Sequence, residues 1–150
     1  MRLILTACLV LLLGTGLSSA CPAWEQVALR GINQTGETLS VGRDYAVVAG
    51  GDQNLRACGF PHTGFAMSRP DFEFYLTGMD RAARLLLTVN GTCETVLLVN
   101  GTDGGWYFDA NSHRGQPRIE FFRQLEGTYD VWVGTRGPET CSATLTLESL

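Results

Sequence analysis

The sequence predicts an all-β protein, an antiparallel β-sandwich stabilised by disulfides. Three observations predict this fold. Apolar and polar residues alternate with period two from Phe72 onward, turn residues return about every eight to twelve positions, and four cysteines remain available for pairing once the leader is set aside. Eighteen glycines suit a chain with many turns, and no helical stripe of apolar residues interrupts the pattern.

The leader is residues 1–20, which have the pattern of a secretory signal peptide. A charged start is followed by an apolar run over residues 3–13 and by a small-residue end, Ser18-Ser19-Ala20. Cleavage after Ala20 would leave residues 21–150 as a single domain. The apolar run is shorter than the roughly 20 residues that span a bilayer, so we expect no transmembrane segment after cleavage. We predict a secreted or periplasmic protein.

The cysteines indicate two disulfides. Cys8 lies in the leader, and the even set that remains is Cys21, Cys58, Cys93 and Cys141. Of the three pairings we favour Cys21 with Cys58 and Cys93 with Cys141, because this pairing ties the amino-terminal segment down separately from the later strands. Lipidation of Cys21, as in a bacterial lipoprotein, is the alternative, and it would leave one thiol unpaired.

The individual strands follow from the alternation. Residues 72–76 alternate, whereas residues 84–89 and 95–99 are continuous apolar runs typical of strands covered on both faces. Asn90-Gly91 between these two runs predicts a tight hairpin turn, and Asn100-Gly101 opens a second turn, through Asp103-Gly104-Gly105, into a strand over residues 106–108. Further strands are predicted as follows: 27–30, 45–49, 118–122, 129–133 and 142–148.

A family resemblance covers about residues 70–150. Residues 95–109 (TVLLVNGTDGGWYFD), 117–121 (PRIEF), 127–134 (GTYDVWVG) and 143–147 (ATLTL) resemble the second half of the bacterial pre-peptidase C-terminal domain. The resemblance implies a jelly-roll-like β-sandwich. It also implies a non-catalytic module of the kind attached to secreted peptidases. The segment after the Trp-bearing strand is poorer in Asp than in many such domains, which weakens any calcium role carried over from the family.

Two groups of residues are candidates for binding. Asp103, Asp109 and Asn111, with Asp130 as a further oxygen donor, lie in or beside loops and could supply calcium ligands, although Asp and Asn are also ordinary turn residues. The aromatic residues Trp106, Tyr107 and Trp132, with Tyr129, could form a contact surface. Core packing is the favoured interpretation of the aromatic group. Trp132 is the better surface candidate if the face carrying Tyr129 points inward.

Other functions receive less support from the residues. The net charge is −4 and the arginines are scattered, so nucleic-acid binding is not expected. His62 and His113 are the imidazoles available to a hydrolase, and no nucleophile or metalloprotease motif accompanies them. Asn33, Asn90 and Asn100 stand in glycosylation sequons whose use depends on the source organism.

The sequence therefore favours an exported, non-catalytic module with no required cofactor. Its expected partner is a protein, a glycan or a component of the cell envelope. Two alternatives remain: an accessory or inhibitory partner of a separately encoded secreted peptidase, and a small secreted hydrolase.

Overall fold

The computed structural model describes residues 21–123 and 125–150. The predicted signal peptide, with Cys8, lies outside these residues. In chain order the described elements are β1 (Arg30–Thr35), α1 (Gly36–Leu39), β2 (Arg43–Ala49), β3 (Gln53–Asn54), β4 (Phe65–Ala66), β5 (Phe72–Thr77), β6 (Leu85–Gly91), β7 (Thr95–Asn100), β8 (Trp106–Asp109), β9 (Arg118–Phe121), β10 (Gly127–Thr135) and β11 (Cys141–Ser149).

The strands form two sheets that pack face to face. In sheet A, β10 is central: it pairs with β5 and β7, β1 extends the sheet beyond β5, and β8 extends it beyond β7. The short strands β4 and β3 continue sheet A at the end of β10. Sheet B has the order β2-β11-β6-β9. All pairs are antiparallel except β1 with β5, so the predicted antiparallel, jelly-roll-like sandwich is confirmed with one parallel edge.

The main core lies between the sheets and follows from the alternation. Phe72, Phe74 and Leu76 of β5 point inward, as do Tyr129, Val131 and Val133 of β10. Sheet B contributes the alternate residues of its own strands, including Leu145 and Leu147 of β11. Period two places every second side chain on one face, so each strand buries one apolar row against the other sheet.

The two predicted turns have different outcomes. Asn100-Gly101 does open a hairpin, because β7 pairs with β8 across the loop 101–105. The hairpin predicted at Asn90-Gly91 is wrong. β6 continues through Gly91, which pairs with Ala143, and the chain then crosses from sheet B to sheet A. Gly91 is needed for space rather than for a positive φ, since a Cβ there would collide with the side chain of Thr95.

The first edge strand also differs from the prediction. It spans Arg30–Thr35 rather than residues 27–30. The backbone N–H groups of Leu29 and Arg30 donate to the carbonyl oxygens of Pro70 and Asp71, and regular parallel pairing with β5 begins there. An edge strand that is mostly exposed carries a weak apolar alternation, which explains the error in its bounds.

The outer face of sheet A is covered by additional chain. The excursion from β3 to β4 lies against the end of β10, where Gly134 and Gly51 leave room for the backbones of Phe65 and Ala66. One disulfide joins Cys21 to Cys58 and ties the amino-terminal segment to this excursion. The other joins Cys93 to Cys141. These are the two pairs favoured from the sequence.

Candidate functional site

On the outer face of sheet A, a row of polar residues crosses the central strands. Glu73 of β5 lies directly opposite Asp130 of β10, Asp130 lies opposite Asn100 of β7, and Asn100 lies opposite Trp106 of β8. Directly opposed side chains on one face are close neighbours. The row thus places two carboxylates side by side and ends on an aromatic ring.

A second apolar cluster lies next to this row, between sheet A and the excursion that covers it. Its buried members are Leu55, Ala66, Leu98 and Trp132. Trp132 is 0% exposed, so its selection as a surface residue is wrong. Tyr129 does point inward, which was the condition for Trp132 to lie on the outer face. At Trp132, however, the excursion covers that face and excludes solvent. Its indole Nε1 has no hydrogen-bond partner within the described residues.

Of the other predicted surface residues, Trp106 is exposed and Tyr107 is largely committed to packing. Trp106 is 39% exposed and contacts Phe60 and Trp132, with ring centroids 5.2 Å apart in each case. Tyr107 points the other way, packs its ring edge-on against Phe121, and donates a hydrogen bond from its hydroxyl to Asp103 Oδ2 at 2.6 Å.

Two further aromatic side chains are exposed on the same side of the molecule. Trp24, in the amino-terminal segment, is 51% exposed, and Tyr75 of β5 is 52% exposed. Tyr75 lies two residues beyond Glu73 on the same strand and therefore on the same face. Large exposed aromatic rings of this kind are enriched in protein interfaces.

Trp24 and the paired carboxylates line a cavity, which we call the acidic notch. It has a volume of about 670 Å³ and is bounded by the amino-terminal segment, the loop after β7 and the start of β10. No Arg, Lys or His is among its described lining residues. Four acidic residues line it: Glu25, Glu73, Glu126 and Asp130.

Asp130 is the most buried acid of the notch. The residue is 5% exposed, and its Oδ1 has no hydrogen-bond partner within the described part of the chain. Burial, and to a lesser degree the neighbouring Glu73 carboxylate, raise the pKa of Asp130 to about 6. Glu126 is held differently, since its Oε1 accepts a hydrogen bond from the backbone N–H of Met79 at 2.9 Å.

A second buried acid, Asp71, lies at a larger cavity of about 1120 Å³ near the edges of β1 and β2. Asp71 Oδ2 accepts a hydrogen bond from the backbone N–H of Val133 at 2.8 Å. Burial raises its pKa to about 7 in spite of this bond and of the nearby Arg30. Arg30 stacks over the Phe72 ring at 4.2 Å and donates to the carbonyl oxygen of Ala46, so it joins the two sheets at this edge.

The residues proposed for calcium lie before, at the end of, and after β8. Asp103 precedes β8 and Asp109 ends it. Asp103 accepts hydrogen bonds from Tyr107 and the Gly105 backbone, which lower its pKa, and Asp109 Oδ2 accepts from Ser112 and from the Arg118 backbone. Both carboxylates thus serve the turns that contain them. Within residues 21–123 and 125–150 no group of three or more His, Cys, Asp and Glu is placed to hold a metal ion.

The two histidines lie in different parts of the fold. The ring of His62 stacks on Phe108 with centroids 4.1 Å apart, as part of the cover on sheet A. His113 lies in the loop between β8 and β9, where its backbone bonds to Gln116. Among the sequons, Asn100 is buried and donates its amide to Gly104, whereas Asn33 and Asn90 are exposed.

The sequence interpretation named Asp130 only as a minor calcium donor and did not select Glu73, Trp24 or Tyr75. A signal for Asp130 was present. Asp is depleted in strands, yet Asp130 stands in the middle of an alternating strand on the face opposite Tyr129 and Val131. Its pairing with Glu73 depends on the register between β5 and β10, which a single sequence does not reveal.

These features define a disulfide-stabilised β-sandwich with an aromatic and acidic outer face. No protein-family model matches the chain, and no curated protein matches it. Among solved structures it is similar to PliG of Aeromonas hydrophila, a periplasmic inhibitor of g-type lysozyme, with a TM-score of 0.44 and 10% identity over 81% of this chain and 98% of that one. A likeness this distant carries no function from one chain to the other. No helix in the described residues is long and apolar enough to cross a membrane.

Proposed function

We propose that this protein is an exported, non-catalytic module that binds a partner protein through the outer face of sheet A. One observation carries the proposal: three exposed aromatic side chains, Trp24, Tyr75 and Trp106, surround a row of polar groups on one sheet face. Aromatic rings provide contact area at a small entropic cost and dominate the energetics of many interfaces. The opposite face of the sandwich presents threonines, charged side chains and the exposed Val48 instead.

The leader and the disulfides support the exported location. Disulfides persist in oxidising compartments, and the leader pattern leads there. The non-catalytic part of the proposal is supported by the contacts of the two candidate imidazoles, since His62 stacks on Phe108 and His113 Nδ1 lies 3.5 Å from the guanidinium of Arg118. The family resemblance to the pre-peptidase C-terminal domain is compatible with such a module and stays a prediction.

The test is binding by matched variants. The mature protein is immobilised and exposed to periplasmic and secreted fractions of its source organism, and each retained protein is then purified and titrated. A specific partner should bind saturably, and the double variant Trp24→Ala, Tyr75→Ala should bind it about 10-fold or more weakly.

The matched controls truncate outward-facing side chains of the other sheet. Val48→Ala and Thr144→Ala lie on the outer face of sheet B and should leave binding unchanged. Equal loss in both sets, or saturable binding to glycan or envelope material that ignores Trp24 and Tyr75, would contradict the proposal.

A further inference from the structure

The acidic notch contains two adjacent carboxylates, and no basic side chain among the described lining residues pairs with them. Asp130 and Glu73 are directly opposed across two antiparallel strands, a placement in which like charges destabilise each other. A buried polar atom without a hydrogen bond is rare in folded proteins, and Asp130 Oδ1 is such an atom within the described residues. A group that donates hydrogen bonds and carries positive charge would relieve both costs.

The chain does not provide this group in the described residues. The side chains that line the notch are neutral or acidic: Trp24, Glu25, Glu73, Asn100, Thr102, Glu126, Thr128 and Asp130. The Asn100 amide donates to the backbone carbonyls of Gly104 and Gly105, so its donors point to the loop. The described residues therefore leave these carboxylates without a positively charged donor, which favours a group supplied by a partner.

We propose that the acidic notch receives an arginine side chain of the partner protein, with Asp130 and Glu73 as its carboxylate ligands and Trp24 as its stacking surface. This inference rests on the proposed function and names the chemistry of its central contact. Guanidinium is favoured because it is planar, presents several donors to adjacent carboxylates, and stacks on aromatic rings. A divalent metal is disfavoured because the described acids are not gathered into a three-ligand group.

The pH dependence of binding is a second test of the arginine site. Glu25 and Glu126 face the same cavity as Glu73 and Asp130, so every titratable group among the described lining residues is acidic. The pKa of Asp130 is about 6, and the carboxylate form is the one that attracts a cation. Binding should therefore weaken as the pH falls from 7.5 to 5, and a bound guanidinium should lower the pKa of Asp130.

The test uses Nα-acetyl-arginine methylamide as the probe and its neutral citrulline analogue as the matched control. NMR of the mature protein follows the indole N–H of Trp24 and the carboxyl carbon of Asp130. We expect saturable shifts with the arginine probe at a Kd of about 10 mM or tighter, and none with citrulline. The lysine analogue should bind more weakly than the arginine probe.

Variants locate the site. Asp130→Asn should weaken binding about 10-fold and should fold, because it removes an unpaired buried charge. Glu73→Gln should weaken it about 3-fold. Glu148→Gln, on sheet B, should have no effect. Absence of saturable shifts, equal shifts with citrulline, or unchanged binding by Asp130→Asn would overturn the inference, as would displacement of the probe by millimolar calcium.

The outcomes separate this inference from the proposed function. If the arginine probe binds as expected and no partner protein depends on Trp24 and Tyr75, the notch stands and the proposed function fails. If a partner depends on those rings but Asp130→Asn leaves both its affinity and the probe titration unchanged, the surface stands and the arginine site fails.

Discussion

The two outer faces of this sandwich begin from the same strand alternation and end differently. On sheet B the outward side chains meet solvent and each other: Thr146 donates to Asp44 at 2.6 Å, and Glu120 pairs with Arg118 and Arg84. On sheet A the outward side chains include Trp132 and Asp130, which are buried beneath or beside additional chain. The difference shows that alternation decides which face a side chain occupies, whereas the covering segments decide what that face becomes.

The acids of the two sheets also differ. Glu120 on sheet B has basic partners within reach. Asp130 on the outer face of sheet A and Asp71, immediately before β5, are buried with raised pKa values, because burial disfavours the charged form. Substitutions of the buried groups on or beside sheet A should therefore change stability more than substitutions on the outer face of sheet B.

The largest expected effect comes from Trp132. Trp132→Ala should lower the free energy of unfolding by about 3–5 kcal/mol, since it deletes a fully buried indole from the cluster under the excursion. Thr144→Ala, at an outward position of sheet B, should change it by less than about 0.5 kcal/mol. Urea unfolding of both variants measures the contrast, and similar losses for the two would show that the faces do not differ as described.

The next effect concerns the disulfide that holds the cover. Removing Cys21–Cys58, which joins residues 37 apart in sequence, should cost up to about 4 kcal/mol in the chain-entropy description. It should also expose the chain around Arg56 to trypsin, because the excursion is then held only by packing and hydrogen bonds, without a covalent cross-link. Removing Cys93–Cys141 should destabilise the protein without selective cleavage at Arg56. Each disulfide is removed by replacing both of its cysteines with Ser. Cleavage at Arg56 at equal rates in the two variants would contradict a specific role of Cys21–Cys58 in holding the excursion.

The pH dependence of stability tests the buried acids. A folded-state pKa of about 7 for Asp71, above its value of 3.8 in the unfolded chain, means that the folded protein retains a proton which the unfolded chain releases. Stability from this group is therefore full below pH 3.8 and falls as the pH rises toward 7, with Asp130 acting in the same direction up to about pH 6.

The free energy of unfolding should fall between pH 5 and pH 8, and Asp71→Asn should remove about 2 kcal/mol of this fall. The amide oxygen can still accept the hydrogen bond from the Val133 N–H, and no proton is released. Chemical unfolding at both pH values provides the measurement. The matched variant is Asp109→Asn at the half-buried end of β8, which should leave the difference between the two pH values unchanged. An unaltered pH dependence in Asp71→Asn would show that Asp71 titrates normally.

The smallest expected effect is on sheet B. Glu120→Gln should cost less than about 1 kcal/mol, and 1 M salt should reduce the cost further, since its pairs with Arg84 and Arg118 are partly exposed. Thermal unfolding at low and high salt tests this expectation. A loss comparable with that of Trp132→Ala would place an important stabilising network on the face described here as solvent-facing.

Much of the fold was predictable because it depends on local rules. Residues 72–76, 129–133 and 142–148 alternate, and each lies in a strand that buries the expected row. The error at Asn90-Gly91 arises because a favourable turn dipeptide does not reveal whether the flanking strands share a sheet. The error at Trp132 has a similar origin, since the excursion that covers it is distant in sequence and irregular.

The sequence by itself determined the β-rich class, the inward rows and the even set of cysteines, because alternation and composition act on neighbouring residues. The tertiary structure alone decided which strands pair, which outward residues are covered, and that Glu73 and Asp130 face one another. Register between strands far apart in sequence is set by the packing of the whole domain. A site built across that register therefore appears only when the chain is folded.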